Sequence, residues 1–97
     1  MPTDKELYDE IHLLRKTTKE DIALNDQYIF FEVKRTKHGS AFDRGSADAY
    51  YGRPRSPHYW PEGTGHGAMI EEKDMSEEQV FLYNFAYSNE TDRKDWT

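Results

Sequence analysis

Apolar positions recur along the chain in three stretches, and the first has a helical period. Leu7, Ile11 and Leu14 fall on one face with Tyr8 beside them, while Lys5, Asp9, Glu10 and Lys16 occupy the other. Thr3 with Glu6 three residues later forms a capping-box pattern ahead of this stripe, so the spacing predicts a helix over 4–16. A second start signal, Thr18 with Asp21, precedes only Ile22, Ala23 and Leu24 and predicts a short turn of helix or an extension of the first. The next stretch, Gln27 to Arg35, is dense in β-branched and aromatic residues. Tyr28, Phe30 and Glu32 alternate there with Ile29, Phe31 and Val33, which predicts a strand over 27–35 with the latter three facing the core. Ala68 to Glu72 offers a shorter second strand, 68–72.

The third stretch is again helical. Ser76 with Gln79 makes another capping box before Phe81, Leu82, Phe85 and Ala86, flanked by Val80, Tyr83 and Tyr87, so a helix is predicted over 77–89. It is apolar around most of its circumference, as a central core helix or half of a subunit interface would be. Phe81, Leu82 and Phe85 are its candidate packing or oligomer residues. Between these stretches lies Phe42 to Pro54. Asp43 there reads as an N-cap, Phe42 as a staple onto Ala47, Gly52 as a left-handed C-cap and Pro54 as a stop, predicting a helix over 44–51 with Ala47, Tyr50 and Tyr51 turned inward. Arg44 and Asp48 fall four apart on its outer face, in the less favourable order for a helical ion pair. The three prolines from Arg53 to Pro61 dictate an extended run, Gly63 to Gly67 reads as a loop, and a polar tail begins near residue 90.

The expectation is therefore one α+β domain spanning 1–97, with about three helices and one or two strands; its length supports a single modest core. Hydrophobic residues make up 35% and charged residues 33% of the chain, and the 14% that are aromatic supply large burial areas to a thin core. Without cysteine there is neither a disulfide framework nor a thiolate metal site. The polar, acidic start and the lack of a long apolar run point to a cytoplasmic protein with no membrane partner.

The net charge of −6 conceals a sharp division. Residues 1–33 carry 8 acids and 4 bases, residues 34–66 carry 3 acids and 6 bases, and residues 67–97 carry 8 acids and 3 bases. The middle third is thus basic between acidic ends. Its Lys34, Arg35, Lys37, Arg44, Arg53 and Arg55 are interleaved with Tyr50, Tyr51, Tyr59 and Trp60. Guanidinium forks match phosphates and aromatic faces stack on unpaired bases, a combination suited to single-stranded RNA. The alternative is that the aromatics are core and the arginines pair with the acidic ends.

Other motifs carry less chemistry. Arg53 to Pro57 contains a PxxP, but such tetrapeptides are common by chance, and the segment is better read as a loop stiffened against the domain. His58, Glu62 and His66 match no zinc spacing, and the Gly63–Gly65–Gly67 pattern lacks the flanking strand and helix of a nucleotide loop. No metal, cofactor or catalytic set is assigned; Asp43, Asp48, His58 and His66 are the only acid/base candidates.

The run from Phe42 to Pro54, followed by Pro57-His58, Tyr83, Tyr87 and Asp95-Trp96, resembles a group of small phage and marine bacterial proteins that carry no assigned function. More distantly, Arg44-Gly45, Gly52-Arg53, the following proline and the final aromatic helix are similar to the ribosome modulation factor family. That resemblance implies two helices joined by an extended linker, binding to the small ribosomal subunit, and Arg44, Arg53 and Arg55 as rRNA contacts. The resulting expectation is a non-enzymatic binding module for RNA or the ribosome, with Arg44, Arg53, Arg55, His58, Tyr59 and Trp60 as partner-binding residues. The second expectation is a phage-type inhibitor of a host protein, or a homodimer through the last helix.

Overall fold

A computed structural model describes residues 3–16, 26–33, 38–92 and 94. The capping boxes act where their spacing places them. In the first, the Glu6 amide donates to Thr3 Oγ1 at 3.1 Å and the Thr3 amide to Glu6 Oε1 at 3.3 Å, opening α1, Asp4–Lys16. In the last, Ser76 and Gln79 satisfy each other's amides and open α4, Glu77–Asn89. Both helices have the predicted bounds. The Thr18 start signal lies outside the described residues.

The predicted strand over 27–35 is instead a helix, α2, Asp26–Glu32. Ile29, Phe30 and Val33 are buried whereas Phe31 is 55% exposed, so the inward face has the i, i+1, i+4 pattern of a helix. β-branched and aromatic residues favour strands only where a sheet offers them a partner, and here the partners are helices. Arg15, at the end of α1, reaches Asp26 through two hydrogen bonds of 2.9 and 2.8 Å and ties down the start of α2.

The central helix α3 runs Ala41–Tyr50, three residues earlier than predicted, because Ser40 is its N-cap. Ser40 Oγ accepts the Asp43 amide, while Asp43 turns back to accept the Gly39 amide at 2.9 Å. Its buried residues are Ala41, Phe42, Gly45, Asp48 and Ala49. Tyr50 and Tyr51, predicted to face inward, are each 37% exposed. Gly52 has φ 70, a left-handed conformation that ends the helix without a Cβ clash.

The predicted strand over 68–72 contracts to β2, Ile70–Glu71, antiparallel to β1, His58–Tyr59, in the register His58↔Glu71 and Tyr59↔Ile70. A short 3₁₀ turn, Glu72–Asp74, leads into α4. The domain is thus a small α+β arrangement of four helices and a two-stranded ribbon among the described residues. Helix α4 lies at its centre, packed most extensively on α3 and covered by α1 and α2. Phe30 and Phe42 stack at 5.4 Å, with Phe85 beyond them at 6.4 and 6.3 Å, and Leu7, Ile11, Leu82, Tyr83 and Ala86 complete the core. Each fully buried leucine, isoleucine or phenylalanine among them contributes roughly 1.5–3 kcal/mol by leaving water. The broad apolar circumference of α4 is therefore used within the chain: Leu82 and Phe85 are buried, and Phe81 packs against Tyr8 and His12 of α1.

α3 and α4 meet at Gly45. A Cβ there would overlap the Tyr83 carbonyl. Gly45→Ala, which in an exposed helix would stabilise by its better propensity, is expected to destabilise this protein by about 1–3 kcal/mol in urea unfolding because the crossing cannot widen freely. Gly65→Ala, where nothing lies within 4 Å of the added atom, is expected to cost only the strain of its positive φ.

Candidate anion-binding cleft

Among the described residues Asp48 is the one buried carboxylate, 3% exposed, beside the core. Predicted on the outer face of its helix, it is instead covered because the chain leaving α3 crosses back over it between Arg53 and His58. Four groups from that crossing and its neighbours converge on the carboxylate. The Tyr83 hydroxyl of α4 donates to Oδ2, Arg53 Nη1 donates to Oδ1 at 3.3 Å, Arg44 Nη2 lies 3.7 Å from Oδ1, and His58 Nδ1 lies 3.8 Å from Oδ2. His58 Nδ1 also meets the Ser56 carbonyl at 2.7 Å, and since a carbonyl only accepts, the ring carries its proton on Nδ1.

The linker is held by the same apparatus. The Ser56 amide donates to the Tyr83 hydroxyl at 3.0 Å, the Tyr87 hydroxyl donates to the Arg53 carbonyl at 2.6 Å, and the Arg53 amide donates to the Asp48 carbonyl at 2.8 Å. Pro57 is buried at the turn into β1. The PxxP segment is accordingly a strap bonded to α3 and α4, as the stiffened-loop reading anticipates.

Beside Asp48 opens a cleft of about 510 Å³ whose wall includes Arg44, Arg53, His58, Trp60, Thr64 and Met69. Trp60 is positioned by its own backbone: its amide donates to the Gly39 carbonyl at 2.7 Å, and its carbonyl accepts the Gly63 amide at 3.0 Å. Gly39, at φ 92, lies so close that a Cβ would come within 2.9 Å of the Trp60 carbonyl and the Thr64 nitrogen. Arg44 Nη1 reaches Thr64 Oγ1 at 3.5 Å, but its Nε is buried with no hydrogen-bond partner among the described residues. A buried guanidinium donor of this kind calls for an acceptor.

The charges decide what the cleft favours. One carboxylate faces two guanidinium groups and an imidazole, and part of its hydrogen-bonding capacity is taken by Tyr83. The Arg44 side chain is only 11% exposed, so its charge is poorly screened by water. The cleft therefore carries a surplus of positive charge and favours an anion, next to the apolar surfaces of Trp60, Pro54 and Met69.

Of the sequence-predicted partner-binding residues, Arg44, Arg53, His58 and Trp60 share this cleft. Arg55 does not: its Nε donates to Asn84 Oδ1 at 2.5 Å, its Nη2 is 3.7 Å from Glu72, and it lines a different depression beside β2. Tyr59 alternates away from its strand neighbours and packs on the core. Lys34, Arg35 and Lys37 lie outside the described residues. Asp43 lies 3.8 Å from His38, and His66 is on the exposed glycine loop. Among the described residues no group of three or more histidine or acidic side chains is arranged to hold a metal ion, and no helix is long and apolar enough to cross a membrane. The residues that sequence reasoning missed are Thr64, Met69 and Tyr83; only the last had a signal, as a tyrosine on a helix dense in core residues. Comparison with family profiles, curated proteins and solved structures found no match to this chain.

Tyr83 links this cluster to stability. Burial, with the Asp48 carboxylate beside its hydroxyl, raises its pKa well above the ordinary tyrosine value. The sign follows: the folded state holds this proton more tightly than the unfolded chain, so the stabilisation is complete below the ordinary tyrosine range near ~10 and is lost as pH rises through the raised value. Urea unfolding measured between pH 8 and pH 11 is expected to show a declining stability above about pH 10. Tyr83→Phe is expected to lose about 1–3 kcal/mol at neutral pH, since Asp48 and the Ser56 amide each lose a partner, and to flatten that alkaline decline.

Proposed function

We propose that the protein is a non-enzymatic binding module that takes a phosphate of single-stranded RNA in the Arg44–Arg53–His58 cleft and stacks the attached base on Trp60. The observation that carries this reading is the placement of two arginines and a histidine around one buried carboxylate at the edge of a tryptophan. Guanidinium groups oriented by Asp48 are preorganised donors for phosphate oxygens. An unpaired base presents a π-face that an indole can cover, whereas a base within a duplex does not. Ribosomal RNA is the partner that the resemblance to ribosome modulation factors implies, and the mechanism is occlusion of the bound strand. The acidic ends of the chain set the long-range field against nucleic acid, so recognition depends on the short-range geometry of the cleft.

A second reading, contact with another protein or a second copy, is favoured by the exposed Leu13 and Phe31 on α1 and α2. It does not use Phe81, Leu82 and Phe85, which pack within the chain.

Fluorescence anisotropy with a labelled single-stranded RNA separates the two. At low salt, binding is expected for the native chain, with affinity falling as salt rises. Arg53→Ala leaves Asp48 paired with Arg44 and is expected to weaken binding about tenfold, with the salt slope reduced by about 0.7. Arg55→Ala, outside the cleft, is expected to leave both unchanged. Absence of binding by the native chain at low salt, or an equal effect of the two substitutions, would overturn the cleft assignment.

A further inference from the structure

The exposed tyrosines at the end of α3 have no role in the core, and their surroundings suggest one. Tyr50 and Tyr51 pack edge to face with ring centroids 5.0 Å apart and an interplanar angle of 86°. The Arg53 guanidinium lies 4.7 Å from the Tyr51 ring centroid while its Nη1 touches Asp48. The same cation thus belongs to the cleft and to the tyrosine pair. Lys94 Nζ lies 5.8 Å from the Tyr51 ring, and the Lys94 amide donates to the Tyr50 carbonyl at 2.7 Å, bringing a second positive charge to the pair.

We infer that Tyr50, Tyr51 and Arg53 form a second base-stacking subsite adjoining the cleft, so that the binding unit is a single strand of at least two nucleotides. This rests on the reading of the cleft as a phosphate site. A phosphate on Arg53 is flanked along the strand by two bases: one meets Trp60 inside the cleft, and the next meets the tyrosine pair outside it. Large apolar rings held half in water beside cations cost solvation that a base would relieve, and the cations complement the phosphates on either side of that base. Duplex RNA keeps its bases stacked within the helix and cannot engage both surfaces.

The test compares a ligand that reaches only the cleft with one that reaches both sites. Fluorescein-labelled octaadenylate is titrated into the protein, and adenosine 5′-monophosphate is used as its competitor. Tyr50→Ala/Tyr51→Leu is expected to weaken octaadenylate binding about 5- to 100-fold while the competition constant of the mononucleotide stays unchanged. Tyr51→Phe, which keeps the ring, is expected to retain native affinity, and a duplex of the same length is expected to compete poorly. Unchanged octaadenylate affinity in the double variant, with Arg53→Ala still weakening it, would overturn the second subsite and leave the cleft standing. An equal loss for octaadenylate and mononucleotide would also overturn it, reducing the tyrosines to supports for Arg53. Failure of the native chain to bind octaadenylate at low salt would remove the cleft reading and this inference with it.

Discussion

The buried carboxylate of Asp48 organises the domain. Asp48 leaves water at the floor of the cleft, beside the core, and the desolvation of its charge is offset because a tyrosine hydroxyl, two guanidinium groups and an imidazole are brought to it. Those partners come from separate parts of the chain: Arg44 from the same helix, Arg53 from the strap, His58 from the start of β1 at the strap's end, and Tyr83 from α4. Satisfying one charge therefore fixes the path of the linker, the rotation of α4 and the position of the ribbon. The Gly45–Tyr83 crossing makes this possible by letting α3 and α4 approach closely enough for the hydroxyl to reach the carboxylate.

The same arrangement that stabilises the fold produces the chemistry of the surface. Positive groups gathered for one buried acid exceed what that acid can neutralise, and the excess faces a cleft walled by Trp60 and Met69. The glycine-rich turns serve this wall: Gly39 lets the start of α3 meet the Trp60–Thr64 turn, and Gly63 closes that turn by a hydrogen bond. Structure and candidate site are consequently one network, and a protein whose overall charge is negative can still offer a local anion site.

Helix boundaries were the most legible part of the chain. Thr3–Glu6 and Ser76–Gln79 are local devices whose partners lie three residues apart, so α1 and α4 followed directly from spacing. α2 did not, because the preference of Tyr28 to Val33 for a strand is weaker than the demand of the neighbouring helices for Ile29, Phe30 and Val33 on one face. In α3 the sequence pointed to Asp43 as the cap; the structure instead uses Ser40, three residues earlier, as N-cap and Asp43 to hold the preceding Gly39 amide. Of the candidate site, Arg44, Arg53, His58 and Trp60 could be named from a basic, aromatic segment, but Arg55 and Tyr59 could not be separated from them. Their separation depends on Asn84, Glu72 and the core, all distant in sequence.

Taken alone, the chain determined the starts of α1 and α4, its extended proline run, its basic middle and the residue types capable of holding a phosphate, since each of these is a property of neighbours within a few positions. Only the tertiary structure decided that Asp48 is inside, that Tyr50 and Tyr51 are outside, and that four of six candidate residues share one cleft. The reason is that burial and charge pairing are settled by which surfaces cross. Here the crossing of α3, α4 and the strap turned an apparently ordinary Arg44–Asp48 surface pair into a buried pair at the floor of the cleft.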